Sequence, residues 1–427
     1  RLIPPSEVSS DVSGDAASQL GDPPNAKEIL ESSQPEKVGP DGDRVRRLRI
    51  DDAARKEAFA GVMVDARDYQ LRIVSKAVGL LSGTIADEGG RRHAEAHSVM
   101  VESPTGSGKT VMGLEVARQM QRRYGYRIGW VAMRRNLLLQ VQEENRRRGF
   151  GVDLQTISMF DRSPPVVDML IVDEAQHDAA MSMANLHGAL RSKKVLGLTA
   201  TPFRTDRIKL CFDHVIRDAG IHQLIQDGYL SRYHHYTIPD FQPETVAKLL
   251  LEQSERWGKS LVFFHRQEQC DECVNLLCEN GVRSEVVNAK TDRERQLEDF
   301  ASGRTQVLVN MSILTEGFDC PSLQTVFCRP SGRGCTVQMG GRVFRKHPAI
   351  ARKQIVQCRH TPHPFIRTAM ADEQYVWEDG HWRALTVNRE IDAITSRSRQ
   401  AIAQSRVKLP KLVAAHRPRG IVWRHQT

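Results

Sequence analysis

The sequence lacks the features that would place it among membrane, secreted or disulfide-stapled proteins. No stretch approaches the roughly 18 uninterrupted apolar residues that a membrane span needs, and the order of charged, apolar and small residues typical of a secretory signal is missing. The eight cysteines are scattered, which excludes a dense disulfide framework and favours free thiols in a reducing compartment. These absences predict a cytoplasmic protein that makes no use of a membrane.

What is present is enough material for more than one globular core. The chain has 427 residues, 40% of them hydrophobic, and a domain usually takes about 100–200 residues. We therefore expect two globular domains with extensions. Lysine and arginine number 61 against 52 aspartates and glutamates, a net charge of +9, and such a balance is common in proteins that bind a polyanion such as nucleic acid.

The two ends differ in composition from the middle. Residues 1–60 begin with an acidic stretch rich in proline and serine, and we expect this lead to be disordered. An abruptly basic run of four arginines from position 44 either contacts phosphate or pairs with the acidic residues before it. Residues 357–427 form a small C-terminal extension that ends in a basic tail, since positions 393–427 carry eight lysines and arginines and no acidic residue.

Within this extension, two short aromatic runs flank Asp379 and Gly380, a pattern that predicts a β-hairpin. Its aromatic residues Tyr375, Trp377 and Trp382 either form a small core or stack on nucleic-acid bases.

Between the two ends, short apolar runs alternate with helical stretches, once over 61–230 and again over 241–356. Strands separated by helices predict parallel sheets, so we expect an α/β fold of two tandem parallel-sheet domains. Glycine and prolines interrupt the pattern over 231–240, where we expect a linker. In the first series the predicted strands are 98–102, 127–133, 168–172 and 194–198, with a helix over 109–124.

A strand, a glycine-rich loop and a helix follow one another from residue 98 to residue 124. Gly106 and Gly108 let the loop curl so that successive backbone N–H groups and the helix N-terminus converge on phosphate oxygens. Lys109 would reach the β- and γ-phosphates, and the Thr110 hydroxyl would bind Mg²⁺. The predicted nucleotide-binding residues of this loop are Thr105, Gly106, Ser107, Gly108, Lys109 and Thr110.

Two adjacent carboxylates stand at the end of the predicted strand 168–172. In open α/β sheets, ligand-binding groups collect at the carboxyl ends of strands. Asp173 there would bind Mg²⁺, and Glu174 would orient and deprotonate an attacking water. Acidic residues at strand ends can otherwise cap helices, but their presence together with the phosphate loop favours the catalytic interpretation.

Five segments together resemble the motifs of superfamily 2 helicases and translocases, in the order found in that family. The closest likeness is to DEAD/DEAH-box DNA helicases allied to type I and III restriction and phage recombination enzymes, although Gln176 stands where the DEAH pattern has histidine. The resemblance spans residues 64–346 and implies two RecA-like domains with ATP and Mg²⁺ between them. The segments are 106–110, 173–177, 199–202, 317–319 and 338–345.

The resemblance also implies roles for residues outside the phosphate loop. Gln70 matches the residue that reads the adenine edge, and Gly317 and Asp319 match positions that face the nucleotide. Gln338, Arg342 and Arg345 match an arginine-finger motif, which neutralises charge on the γ-phosphoryl group when the cleft closes. The residues implied to contact nucleic acid or to couple it to the nucleotide are Arg134, Arg135, Thr156, Thr199, Thr201 and Thr315.

As a whole, the resemblance implies an ATP-dependent helicase or translocase that moves along nucleic acid, DNA in particular. The motifs leave open a motor that translocates or anneals strands without unwinding them, and an ATP-switched DNA clamp that recruits a nuclease. We expect a cytoplasmic or nucleoid-associated monomer, with a nuclease or a replication or recombination protein as a possible partner.

Overall fold

The computed structural model describes residues 48–49, 57–87, 90–177, 181–200, 212–315 and 319–385. Most of the predicted acidic lead, its basic run and the basic tail lie outside these residues. The strands are β1 Leu48–Arg49, β2 Ala86–Asp87, β3 Ser98–Glu102, β4 Ile128–Ala132, β5 Leu154–Ser158, β6 Met169–Asp173, β7 Lys194–Thr199, β8 His214–Arg217, β9 Tyr233–Ile238, β10 Ser260–Phe263, β11 Ser284–Val286, β12 Val307–Asn310, β13 Thr325–Phe327, β14 Lys353–Cys358, β15 Glu373–Glu378 and β16 His381–Leu385.

Ten α-helices lie between these strands in the described part of the chain. None of these helices is long and apolar enough to cross a bilayer. Their bounds are α1 Asp68–Leu81, α2 Lys109–Tyr124, α3 Arg135–Arg147, α4 Met181–Leu190, α5 Ile221–Gln226, α6 Pro243–Glu252, α7 Ser254–Trp257, α8 Gln267–Glu279, α9 Arg293–Ser302 and α10 Arg333–Gly341.

The first domain contains a six-stranded sheet with the order β5-β4-β6-β7-β3-β8, and every neighbouring pair is parallel. Its central strands are buried almost without interruption, because helices cover both faces of a parallel sheet. All parallel strands end at one edge, which brings the residues after β3, β4, β6 and β7 together. The predicted α/β fold is confirmed here, and α2 has the predicted bounds.

The second domain contains an eight-stranded sheet with the order β11-β12-β10-β13-β14-β9-β15-β16. It is parallel except for the last pair, β15 and β16, which form the predicted hairpin. The linker predicted over 231–240 is wrong, because β9 lies within it and pairs with β14 and β15 inside the sheet. The expected boundary at residue 356 cuts β14, and the hairpin extends the same sheet.

The aromatic residues of the hairpin pack onto the second domain. Tyr375 stacks on Tyr236 with ring centroids 4.8 Å apart, and Trp382 meets Trp257 edge to face at 5.7 Å. Trp377 lies edge to face with Trp382 at 4.9 Å. These contacts favour the small-core interpretation of the hairpin aromatics over base stacking.

A buried histidine joins β9 to β14. His235 is 4% exposed, and its Nε2 lies 3.0 Å from the Gln357 Oε1 atom. Gln357 Oε1 also accepts a hydrogen bond from the Phe365 backbone N–H at 2.6 Å. Burial lowers the pKa of His235 to about 4, so the imidazole is neutral in the folded protein at neutral pH.

This lowered pKa predicts acid sensitivity. Above pH 6.5 His235 is neutral in both the folded and the unfolded chain, but between pH 6.5 and about 4 only the unfolded chain gains the proton. Stability is therefore lost as the pH falls through that window, by up to about 3 kcal/mol. His235→Gln, which keeps a hydrogen-bond donor, should reduce the difference in urea unfolding free energy between pH 7 and pH 4.5.

The matched control is His381→Gln, at an exposed position of β16. It should keep the pH dependence of the wild-type protein. Equal pH dependence in the His235→Gln variant and the wild type would contradict the assignment.

Candidate nucleotide and nucleic-acid site

The loop between β3 and α2 turns through two glycines in the left-handed region. Gly106 and Gly108 have φ angles of 82° and 84°, a region that favours glycine, and Gly108 is the residue that precedes α2. The Ser103 hydroxyl donates to the Ser107 Oγ atom at 2.7 Å, and Lys109 Nζ donates to the Ser103 carbonyl at 3.3 Å. The first backbone N–H groups of α2 therefore lie directly after the loop, an arrangement that suits the binding of phosphate oxygens.

Two side chains from α1 donate hydrogen bonds to the backbone of this loop. The Tyr69 hydroxyl and the Gln70 Nε2 atom both donate to the Ser107 carbonyl, at 2.6 and 2.9 Å. Gln70 Oε1 accepts from the Arg67 backbone N–H at 3.0 Å, and Gln70 is only 5% exposed. The sequence predicts that Gln70 reads an adenine edge, whereas the structure commits both ends of its amide to backbone groups.

The two predicted carboxylates lie at the end of β6. Asp173 Oδ1 accepts a hydrogen bond from the Glu174 backbone N–H at 3.1 Å. Glu174 has a φ of 54°, a left-handed conformation that costs a residue with a side chain about 1–2 kcal/mol. Such strain is retained where the surrounding structure fixes a side chain in a required direction.

Gln176, which stands where the DEAH pattern has histidine, connects three parts of the first domain. Gln176 Nε2 donates to Glu174 Oε2 at 3.1 Å, and Gln176 Oε1 accepts from the Thr199 hydroxyl at 2.6 Å. The Thr199 carbonyl in turn accepts from the Ser103 backbone N–H at 2.9 Å. The carboxylate, the end of β7 and the phosphate loop are thus hydrogen-bonded to one another, while Thr201 lies outside the described residues.

The second domain approaches the phosphate loop through the end of α10. A Cβ atom on Gly341 would lie 3.4 Å from the Thr105 Oγ1 atom, and a Cβ atom on Gly106 would lie 3.6 Å from Arg345 Cγ. Arg342 is buried and begins a 3₁₀ turn, Arg342–Phe344. The predicted arginine motif therefore lies against the predicted phosphate loop.

Other predicted residues lie around this contact. Arg345 forms an ion pair with Asp319, and Gln338 is half-buried one helical turn before Arg342. Thr315 ends a 3₁₀ turn after β12, where its hydroxyl donates to the Ser312 carbonyl at 2.7 Å. Gly317 lies outside the described residues.

The Lys109 amine is close to charged groups from both domains. Burial lowers the pKa of the amine, the carboxylates of Glu174 and Asp173 oppose that shift, and the guanidinium groups of Arg342 and Arg345 reinforce it. Thr110, the second residue of α2, is half-buried beside it. Carboxylate oxygens and a hydroxyl are ligands that suit Mg²⁺, so Asp173 and Thr110 form a chemically reasonable donor set.

The predicted nucleic-acid contacts are only partly brought together. Arg134 follows β4 and precedes α3 with an extended backbone, and Arg135 beside it is exposed. Thr156 lies in the middle of β5 rather than at its end, and its hydroxyl accepts from Gln142 Nε2 at 3.3 Å. Arg266 repeats the position of Arg134 in the second domain, between β10 and α8, and is exposed.

A further arginine at the edge of the second sheet has no counterpart among the predictions. Arg329 Nη1 donates to the Phe264 carbonyl at 2.6 Å and to the Met311 carbonyl at 2.9 Å. It thus joins the segments that follow β10 and β12. The sequence signal for both residues is an arginine that follows a buried strand by two or three positions, Arg329 after β13 and Arg266 after β10.

Comparisons with known proteins find matches in both domains. The family model "Type III restriction enzyme, res subunit" matches residues 63–162, and the model "Helicase conserved C-terminal domain" matches residues 242–347. A variant of Saccharomyces cerevisiae Dbp5 bound to RNA and ADP BeF3 aligns with a TM-score of 0.52 at 13% identity, covering 80% of this chain and 99% of that one. That likeness shows the fold.

Two curated relatives match parts of the chain. A 51.5 kDa protein of Lactococcus phage (isolate 7-9) is 26% identical over 270 residues, which cover 54% of this chain and 59% of the phage protein. The putative ATP-dependent helicase IRC3 of S. cerevisiae is 26% identical over 222 residues, 42% of this chain and 32% of IRC3. The chain thus matches less than two thirds of the length of either relative.

The contact between Gln70 and the phosphate loop predicts that the effects of substitutions at Gly108 and Gln70 are not additive. Gly108→Ala should destabilise the first domain by about 1–2 kcal/mol because alanine is strained at positive φ. In addition, the new Cβ atom would meet Gln70 Nε2 at 2.6 Å. Adding Gln70→Ala should remove the clash, so the loss measured by chemical denaturation should be less than the sum of the two single changes.

Gly188→Ala is the matched control. Gly188 lies in α4 and is exposed, and a Cβ atom added there would meet open space. This substitution should be neutral or stabilising by up to about 1 kcal/mol. Strict additivity of Gly108→Ala and Gln70→Ala would contradict direct contact between the loop and Gln70.

Proposed function

The chain belongs to the superfamily 2 helicases, and from that premise we propose that it hydrolyses ATP between its two domains to move along a strand of DNA. One observation carries the proposal. The end of α10, with Arg342 directly after it, lies against the phosphate loop that leads into Lys109, since a Cβ atom on Gly341 would lie 3.4 Å from Thr105 Oγ1. The carboxylates of Asp173 and Glu174 and the guanidinium groups of Arg342 and Arg345 all act on the pKa of the Lys109 amine, and residues of these types stabilise the charge of a transferred phosphoryl group.

In this proposal the β- and γ-phosphates of ATP bind the backbone N–H groups of the loop 105–108 and the Lys109 amine. Thr110 and Asp173 would hold the Mg²⁺ ion, which neutralises phosphate charge when bound. The hydrogen bonds from Tyr69 and Gln70 to the Ser107 carbonyl fix the loop before the nucleotide binds. Such preorganisation avoids a reorganisation cost during the reaction.

Glu174 is the proposed general base. Its carboxylate orients the attacking water and accepts a proton from it as the water oxygen bonds to the γ-phosphorus. The bond from that phosphorus to the β–γ bridging oxygen breaks in the same step, and ADP is the leaving group. The hydrogen bond from Gln176 and the left-handed backbone at Glu174 limit the directions that this carboxylate can take. Gln176 is therefore a positioning residue in the proposal, and it connects the base to Thr199.

Arg342 and Arg345 are the proposed arginine fingers. They come from the second domain, so their approach to the γ-phosphoryl oxygens depends on the closed cleft, and the Gly341–Thr105 approach supports a cleft that closes tightly. Release of phosphate removes the charge that holds them. Opening and closing of the cleft then changes the distance between the strand-end arginines of the two domains, Arg134 and Arg266, which we propose bind backbone phosphates.

The choice of DNA is supported by the family model for the first domain, whose description names a restriction enzyme. The fold alone supports RNA equally, since the Dbp5 variant, one of the solved structures with this fold, is bound to RNA. The experiment that decides is ATP hydrolysis measured with single-stranded DNA, duplex DNA, forked DNA and RNA at one stated salt concentration. We expect single-stranded and forked DNA to stimulate turnover most, and stimulation by RNA alone would reject the DNA assignment.

Substitutions in the site test hydrolysis itself. Glu174→Gln should keep nucleotide binding and lower kcat about 10²- to 10⁴-fold, because an amide cannot accept the proton from water. Lys109→Ala should weaken nucleotide binding as well. Phosphate release and binding of a fluorescent ATP analogue measure the two effects separately.

Glu244→Gln is the matched control, since Glu244 is an exposed carboxylate in the first turn of α6. It should hydrolyse ATP at the wild-type rate. Wild-type turnover by Glu174→Gln would reject the proposed mechanism, and strand displacement assayed in parallel separates an unwinding enzyme from a motor that only translocates.

A further inference from the structure

An exposed aromatic ring lies near the carboxyl edge of the first sheet. Phe160 is 66% exposed, and it alone is exposed among the phenylalanines that the structure describes. A single exposed apolar side chain is ordinary on a protein surface. What distinguishes Phe160 is where it lies and how the chain holds it there.

The chain around Phe160 forms a hydrogen-bonded turn. The Asp161 backbone N–H donates to the Ser158 carbonyl at 3.0 Å, and the Phe160 backbone N–H donates to the Ser158 hydroxyl at 3.3 Å. Met159, the preceding residue, is 4% exposed and packs into the core below the sheet edge. The buried Met159 and the bonded turn anchor the backbone on either side, so the ring is presented to solvent.

The ring lies at the same sheet edge as two guanidinium groups. Strands β4 and β5 are parallel neighbours, with Ala132 opposite Ser158 in the register. Arg134 follows Ala132 by two residues, as Phe160 follows Ser158, and Arg135 comes next and is exposed. An apolar ring and cationic groups therefore share one edge, which is the proposed path of the nucleic acid.

We propose that Phe160 stacks on a base of a single strand whose phosphates lie on Arg134 and Arg135, an inference that rests on the proposed function. A phenyl ring has no hydrogen-bonding group, so it would hold any base without reading its identity. Bases in a duplex are stacked on one another and are unavailable to the ring. Phe160 therefore discriminates a single strand from a duplex at this edge.

The test compares three 12-nucleotide probes with the full chain: oligo(dT), an abasic strand with the same backbone, and a blunt duplex. Phe160→Ala should weaken binding of oligo(dT) about 5- to 100-fold and leave binding of the other two probes within about twofold. Phe160→Trp should retain the affinity for oligo(dT), and its added fluorescence should be quenched by oligo(dT) but not by the abasic strand.

Met370→Ala is the matched control, because Met370 is an exposed apolar residue of the second domain at 54% exposure. It should bind all three probes as the wild type does. Unchanged binding of oligo(dT) by Phe160→Ala would overturn the inference. Equal weakening on oligo(dT) and on the abasic strand would also overturn it, as would full affinity in Phe160→Leu, because either result replaces base stacking by another contact.

A failure of this inference can be separated from a failure of the proposed function. Arg135→Ala should lower the slope of log K against log salt by about one, for every probe sequence, since it removes one phosphate contact. If the wild type binds oligo(dT), and Arg135→Ala weakens that binding while Phe160→Ala does not, only the stacking inference fails. If the wild type binds none of the probes, the proposed function fails with it.

Discussion

The close approach between the phosphate loop and the end of α10 is the contact on which the candidate site depends. Gly341 approaches Thr105 closely because a glycine has no side chain, and Gly106 leaves space for the aliphatic part of the Arg345 side chain. An alanine at position 341 would make ordinary van der Waals contact with Thr105, whereas a larger side chain there would have to displace the phosphate loop or the end of α10. Because the approach is close, Arg342 and Arg345 lie near enough to Lys109 to affect its pKa.

Around this contact, the first domain holds its polar groups in a connected network. The Ser107 carbonyl accepts two hydrogen bonds from α1, and Gln176 connects Glu174 to Thr199 at the end of β7. A buried polar group without a partner costs about 1–3 kcal/mol, so each member of the network fixes its neighbours. In the proposed mechanism, these hydrogen bonds connect the nucleotide phosphates to the ends of β6 and β7.

Much of this arrangement follows from local patterns in the sequence. The glycine spacing of the phosphate loop, the apolar run before Asp173 and the alternation of strands and helices are properties of neighbouring residues, and each was predictable. The position of β9 was not, because a strand that pairs in parallel with β14 finds its partner more than a hundred residues later. The residues next to a strand in the sequence do not indicate which distant strand it pairs with.

The hydrogen-bond partners of individual side chains could not be predicted from the sequence either. An amide such as that of Gln70 can bond to a base or to a backbone carbonyl with equal chemistry, and only the position of Ser107 decides between them. Likewise, the sequence does not distinguish Arg329 from the other arginines. Only in the folded sheet do the carbonyls of Phe264 and Met311 lie within hydrogen-bonding distance of it. Motifs identify which residue types are present, and the fold determines what each of them contacts.

The place of β9 in the second sheet also bears on where the second domain can be truncated. β9 is flanked by β14 on one side and by β15 on the other. A chain shortened to residue 356 would lack the last two residues of β14 and the whole hairpin. The β9 backbone would then face solvent as an open edge beside the uncovered ring of Tyr236, a template for aggregation. The helicase C-terminal unit is therefore a larger folding unit than its motifs delimit, and an expression boundary belongs after residue 385.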